Sequence, residues 1–132
     1  MSRFVDTSYF LPLLIPGDQY HAAAVSLASQ WRGYKVTTDF VMVEVANHLS
    51  PRQSRGVFAK FFRTISGDPR MNILPASRHL IERGTSLYET RGDKDWFFTD
   101  FIFFEAMRDV GLADALTADH HFEQAGFNIL MR

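Results

Sequence analysis

Arg3-Phe4-Val5-Asp6-Thr7-Ser8 is a short apolar run that ends in three polar residues. That is the pattern of a strand handing the chain to a helix, with side-chain oxygens ready to accept the first free backbone N–H groups. The pattern recurs down the chain. Tyr34-Lys35-Val36-Thr37-Thr38 is a second β-rich run, and Asp39 can open a helix through Val41, Val45, Ala46 and Leu49. Met71-Asn72-Ile73-Leu74 is a third, followed by Ser77 as the cap of a helix through Leu80, Ile81, Leu87 and Tyr88 that ends near Gly92. Ala113-Asp114-Ala115-Leu116-Thr117 is a fourth, with Asp119 opening a small helix through Phe122. Phe127-Asn128-Ile129-Leu130 is expected as an edge strand. Strands separated by helical segments predict an α/β layered fold with a mainly parallel sheet.

The remaining segments fill the helical layers. Asp18, after Pro16-Gly17, is placed to cap a helix carrying Ala22, Ala23, Val25, Ala28 and Trp31, and Gly33 is placed to end it. Ser50-Pro51 is expected to start a helix running to about Ser66 and Gly67. Its apolar residues Val57, Phe58, Phe61, Phe62 and Ile65 face inward, whereas Arg52, Arg55, Lys60 and Arg63 share a broad arc. Phe98 to Met107 is apolar around nearly its whole circumference and reads as a buried helix, with Gly111 closing the turn after it.

Composition narrows the function. A chain of 132 residues that is 46% hydrophobic suits one compact domain. The absence of cysteine excludes disulfides, zinc–thiolate sites and thiol nucleophiles. No apolar run approaches a membrane span, and Tyr9 to Ile15 contains Pro12 and lacks a basic leader, so the expectation is a soluble, cytoplasmic protein. With 14 basic and 15 acidic residues there is no global attraction to nucleic acid, so a polyanion must be held by a local patch or through metal.

In a parallel sheet, functional groups gather at the carboxyl ends of the strands. Asp6 follows the first strand and Asp119 the fourth, Asp100 begins the aromatic helix, and Glu44 lies in the helix after the second strand. Each has an ordinary alternative: Asp6 and Asp119 as helix caps, Thr99 or Asp100 as the cap of the aromatic helix, and Glu44 as an exposed ridge. Asp93 and Asp95 read as loop or capping residues, and Asp18, Asp39, Asp109 and Asp114 as caps or surface. The five histidines, His120-His121 included, lack a helical i, i+4 ligand pair and read as surface or loop residues. Tyr9, Phe10, Trp31 and Trp96 read as core or interface rather than as stacking platforms.

Four stretches together carry a family likeness: Phe4-Val5-Asp6-Thr7-Ser8, Val43-Glu44-Val45-Ala46-Asn47, Asp95-Trp96-Phe97-Phe98-Thr99-Asp100 and Leu116-Thr117-Ala118-Asp119-His120-His121-Phe122. In order, spacing and context they resemble the acidic motifs of PIN-domain ribonucleases, most closely the VapC-type toxins, over essentially the whole chain. The resemblance implies a PIN-like three-layer α/β/α sandwich with residues 1–132 as a single domain. It implies an acidic quartet of Asp6, Glu44, Asp100 and Asp119, with Asp6, Asp100 and Asp119 on Mg²⁺ or Mn²⁺ and Glu44 acting through water. It also implies supporting hydroxyls at Thr7 and Thr117, a homodimer, and restraint by a cognate protein antitoxin. Two departures are Phe103, where related sequences often have a small polar residue, and the aromatic pair Phe97-Phe98 in the third motif.

The chemistry is coherent with the residues. Phosphodiester hydrolysis needs a nucleophilic water, charge neutralisation at phosphorus and help for the leaving oxygen, and hard divalent cations on carboxylates supply these. Arg52, Arg55, Lys60 and Arg63 are the candidates for RNA phosphate contacts, with an ordinary solvated helix face as the alternative. The leading expectation is thus a metal-dependent endoribonuclease, the toxin of a toxin–antitoxin pair. One rival is another Mg-dependent phosphotransfer enzyme or receiver, although no suitable lysine follows Leu116-Thr117. The other is a non-catalytic RNA-binding or scaffolding module, which has no reason to keep four clustered acids.

Overall fold

The computed structural model describes residues 2–131. In chain order the elements are β1 (Ser2–Val5), α1 (Thr7–Leu14), α2 (His21–Gln30), β2 (Tyr34–Thr38), α3 (Asp39–His48) and a 3₁₀ turn (Arg52–Ser54). They continue with α4 (Arg55–Ser66), β3 (Met71–Leu74), α5 (Arg78–Thr90), α6 (Phe98–Asp109), β4 (Asp114–Leu116), α7 (His120–Gln124) and β5 (Asn128–Ile129). The five strands form one sheet in the order β3-β2-β1-β4-β5. Every pairing is parallel. With helices on both faces this is the α/β/α sandwich of the expected type, and β5 is an edge strand as the sequence suggested.

Register follows from burial. Phe4 pairs with Val36 on one side and Ala115 on the other, so the centre of the sheet is apolar. Phe4, Val5, Ala115 and Leu116 are all at most 2% exposed. Thr37, a fully buried polar residue of β2, is satisfied by donating from Oγ1 to Val5 O at 2.9 Å.

Helix α6 is the packing centre. Every residue from Asp100 to Met107 is buried. Phe103 meets Phe4, and Phe104 meets Trp96, Phe122 and Phe127 at ring separations of 5.0 to 5.6 Å. Each such ring stabilises the fold by roughly 1.5–3 kcal/mol through its burial. The partner helix α5 comes close because residue 84 is glycine: a Cβ there would stand 2.8 Å from Ile102 Cγ1. Buried Glu105 on α6 is answered from α5 by Arg83, which also reaches Asp109, and from its own helix by Arg108 at 3.4 Å.

Several boundaries differ from the sequence expectation. Helix α2 starts at His21 after Tyr20, which makes no side-chain cap. Asp18 instead accepts from Tyr20 N at 2.8 Å, closing the turn before the helix. The helix already ends at Gln30, and Gly33 serves another purpose: a Cβ there would stand 2.3 Å from the Trp31 ring. Ser50-Pro51 opens the 3₁₀ turn, and the α-helical part begins only at Arg55. Ser77, Gly67 and Gly111 hold their expected places as N-cap, C-cap and left-handed turn residue.

Candidate active site

Because the sheet is parallel, β1 and β4 end side by side. Asp6 N donates to Leu116 O at 3.2 Å, which continues the pairing to the last residue before α1. Asp6 caps α1, accepting from Ser8 N on Oδ2 at 3.4 Å. The same oxygen accepts from Thr117 Oγ1 and from Ser8 Oγ, both at 2.8 Å. Ser8 Oγ and Thr117 Oγ1 are themselves 2.8 Å apart, and Asp119 N donates to Thr117 Oγ1 at 3.0 Å. One serine and one threonine thus fasten the two strand ends together around a carboxylate. Asp6 both caps α1 and lines the cleft.

Glu44 comes from α3 and is held on both oxygens. Thr7 Oγ1 donates to Oε1 at 2.5 Å, and Thr99 Oγ1 donates to Oε2 at 3.0 Å. Glu44 is therefore not a solvated ridge. Thr99 is not the cap of α6, and neither is Asp100: the cap position is Phe97. Asp100 stands three residues further on, in the first turn of α6, and its Oδ2 accepts from Phe97 N at 3.0 Å.

His121 joins Asp100 to Asp119. Its Nδ1 lies 2.9 Å from Asp100 Oδ2 and 3.6 Å from Asp119 Oδ1, while its backbone N donates to Asp119 Oδ1 at 2.9 Å. The sequence reading, which gave His121 a surface or loop role, missed this. Asp119, His120 and His121 together offer ligand atoms that lie within 4.8 Å of one another.

Asp6, Thr7, Ser8, Glu44, Asp100 and Asp119 line one cleft of about 410 Å³, together with Leu11, His48, Phe97, Thr99 and Phe103. All four acids of the quartet are thus brought together. Phe103 forms buried wall, and Phe97 stands on the lip at 72% exposure. Trp96 is buried and donates from Nε1 to Gln124 Oε1 at 2.8 Å, so it is core, as are Tyr9 and Phe10. The basic arc is not brought to the cleft: Arg52, Arg55, Lys60 and Arg63 are exposed on the 3₁₀ turn and α4, and Arg55 Nε is engaged by Ser50 O at 2.6 Å.

The electrostatics are those of crowded, buried carboxylates. Burial pushes Asp6 up to about 6, against the hydrogen bonds of Thr117 and Ser8, and the nearby charge of Glu44 pushes the same way as burial. Burial likewise raises Asp100, opposed by His121 and Phe97 N and reinforced by the charge of Asp119. Hydrogen-bond bookkeeping separates the acids. Both oxygens of Glu44 are occupied, whereas among the described residues Oδ1 of Asp100 and Oδ2 of Asp119 accept no protein hydrogen bond. Desolvated, mutually repelling carboxylates with free oxygens fit a hard divalent cation.

The sequence of residues 3–128 matches the family model of the PIN domain. The chain belongs to the PIN domain family. Its PIN fold is similar to that of VapC20 from Mycobacterium tuberculosis, described as a sarcin–ricin loop cleaving toxin, at 23% identity and TM-score 0.88 over 100% of both chains. It is also similar to a chain of a toxin–antitoxin complex from Klebsiella pneumoniae, at 15% identity and TM-score 0.70 over 98% of this chain and 96% of that one. A third similar PIN fold is in VapBC2 from Rickettsia felis bound to a promoter DNA fragment, at 10% identity and TM-score 0.70 over 98% of each chain. No curated protein matches this PIN-domain sequence at significant similarity. No helix among the described residues is long and apolar enough to cross a membrane.

Proposed function

We propose that this PIN-domain protein is a metal-dependent endoribonuclease and the toxin of a toxin–antitoxin pair. The observation that carries the reading is the gathering of Asp6, Glu44, Asp100 and Asp119 in one cleft at the carboxyl ends of the strands. Membership of the PIN family supports it, as does the likeness of the fold to toxins and toxin–antitoxin complexes.

Asp6, Asp100 and Asp119 would hold Mg²⁺ or Mn²⁺, which when bound supplies the positive charge that phosphodiester hydrolysis needs at the reacting phosphate. Glu44, with each oxygen already accepting a threonine hydroxyl, is the acid that receives a proton from water. Thr7 and Thr99 fix the direction of its remaining lone pairs, and Thr117 does the same for Asp6. Leu11, Phe97 and Phe103 give the cleft apolar walls that limit water beside the acids. Arg52, Arg55, Lys60 and Arg63 are exposed outside the cleft and would meet RNA phosphates away from the cleaved bond. The working form is a cytoplasmic homodimer, restrained by a small antitoxin that covers the acidic cleft.

Purified protein free of antitoxin, incubated with total RNA and Mg²⁺ or Mn²⁺, should give discrete fragments. EDTA and the Asp100→Asn substitution should each abolish them. Folded protein that cleaves nothing in either metal would turn the assignment to an RNA-binding PIN module.

A further inference from the structure

The amino ends of the strands, opposite the acidic cleft, collect positive charge. Parallel register sets Arg3 beside Lys35. Lys35 N donates to Arg70 O at 2.8 Å, so β1, β2 and the residue just before β3 each bring a basic side chain to one edge. Arg70 Nη1 donates to Arg32 O at 2.6 Å, which adds a fourth. Arg32, Lys35 and Arg70 line a cleft of about 500 Å³ with Ala28 and Asp68. Trp31 lies beneath two of the cations, with Arg3 Cζ 4.1 Å and Lys35 Nζ 5.1 Å from its ring centre. The missing Cβ of Gly33 seats that ring.

Among the described residues this charge meets one carboxylate, that of Asp68. Among the described residues none of these four side chains forms a salt bridge. Asp68, the one acid lining the cleft, accepts from Arg70 N on Oδ1 at 2.9 Å. Arg3 Nε is buried without an acceptor. Lys35 is held below the usual lysine range, first by burial and then by the charges of Arg70, Arg3 and Arg32, against the pull of Asp68. Crowding several like charges around one carboxylate costs free energy that a bound anion recovers.

We propose that this basic cleft is an oxyanion site that takes a phosphate group. A tetrahedral oxyanion offers the negative charge and the acceptors that guanidinium and ammonium donors pair with. The site is separate from the acidic cleft and does not depend on the nuclease reading. The phosphate is either a free oxyanion or one link of a polynucleotide backbone, the same chemistry from two sources.

The test titrates inorganic phosphate into the full chain against chloride at equal ionic strength, read by amide NMR and thermal melting. Saturable shifts at residues 32–35 and at Arg70 are expected, with a rise in Tm of about 2–5 °C at about 20 mM phosphate. Lys35→Gln should abolish the phosphate response and raise the Tm of the phosphate-free protein, the opposite of what loss of a structural residue does. Arg70→Gln, at an exposed position, should also weaken the response and guards against a folding defect. A short single-stranded RNA in EDTA then separates the sources. If the phosphate belongs to RNA, Arg70→Gln weakens RNA binding about three- to tenfold and lowers the salt slope by about 1. If RNA affinity is unchanged while phosphate still saturates, the ligand is a free oxyanion. Absence of saturable phosphate binding, or an unaltered response in both variants, overturns the proposal.

Discussion

Thr117 Oγ1 donates to Asp6 Oδ2 at 2.8 Å across 111 positions of sequence. The contact fixes a carboxylate whose pKa is raised from 3.8 to about 6. The folded protein therefore holds this proton more tightly than the unfolded chain does. The stabilisation is full below about pH 4 and is lost as pH rises through about 6; a shift of this size corresponds to roughly 3 kcal/mol. Metal-free protein should melt higher at about pH 5 than at about pH 7.5. Asp6→Asn should flatten that difference, raise the Tm at the higher pH and lower RNA cleavage by at least about 100-fold. Thermal melts across pH check it, and an unchanged pH profile in the variant would count against the burial of Asp6.

Divalent cation should act in the opposite sense. Mg²⁺ or Mn²⁺ added to metal-free protein should raise Tm by several degrees near pH 7.5 and by much less near pH 5, where protons compete for Asp6 and Asp100. Calorimetry should register proton release on binding. Equal stabilisation at both pH values would separate the metal from these acids.

Thr99→Val removes the donor to Glu44 Oε2 and leaves the shape of the side chain. The rate of RNA cleavage should fall about tenfold, with a stability change of about 1 kcal/mol or less. Rescue by Thr99→Ser, which keeps the hydroxyl, distinguishes the hydrogen bond from packing. Initial rates at saturating substrate provide the measurement.

Gly84→Ala probes the α5–α6 contact. The added methyl meets Ile102 Cγ1 at 2.8 Å and the Ile102 backbone at 3.3 Å, so one helix must shift. A loss of about 1–3 kcal/mol is expected in urea unfolding, against the small gain that alanine brings to an open helix position. Metal binding per folded molecule should be unaffected.

How much of this could be read from the residues differs from place to place. The strands at Tyr34–Thr38 and Met71–Leu74 were legible to the residue, because short β-branched runs between caps admit few alternatives. Asp6 and Asp119 were legible as strand-end acids for the same reason. His121 was not, since α7 has only five residues, too few for periodicity to orient a ring. The signal present was its place two residues after the capping Asp119, which turns its N–H back to that carboxylate. Thr99 was read only as a cap because its partner Glu44 lies 55 positions away. Gly33 looked like a helix stop until the Trp31 ring was seen beside it. The charge of Arg3, Lys35 and Arg70 was in plain view, but only the register of three parallel strands makes it one patch.

β1 lies between β2 and β4, so the sheet's second half is added from the last fifth of the chain. Until Thr117 and Asp119 have emerged during synthesis, Asp6 has no hydroxyl from β4 and Asp100 has no His121. A nascent chain still short of those residues carries most of the acids but no assembled cleft. Whatever the cleft does to other molecules, it can do only once the chain through His121 has joined the sheet.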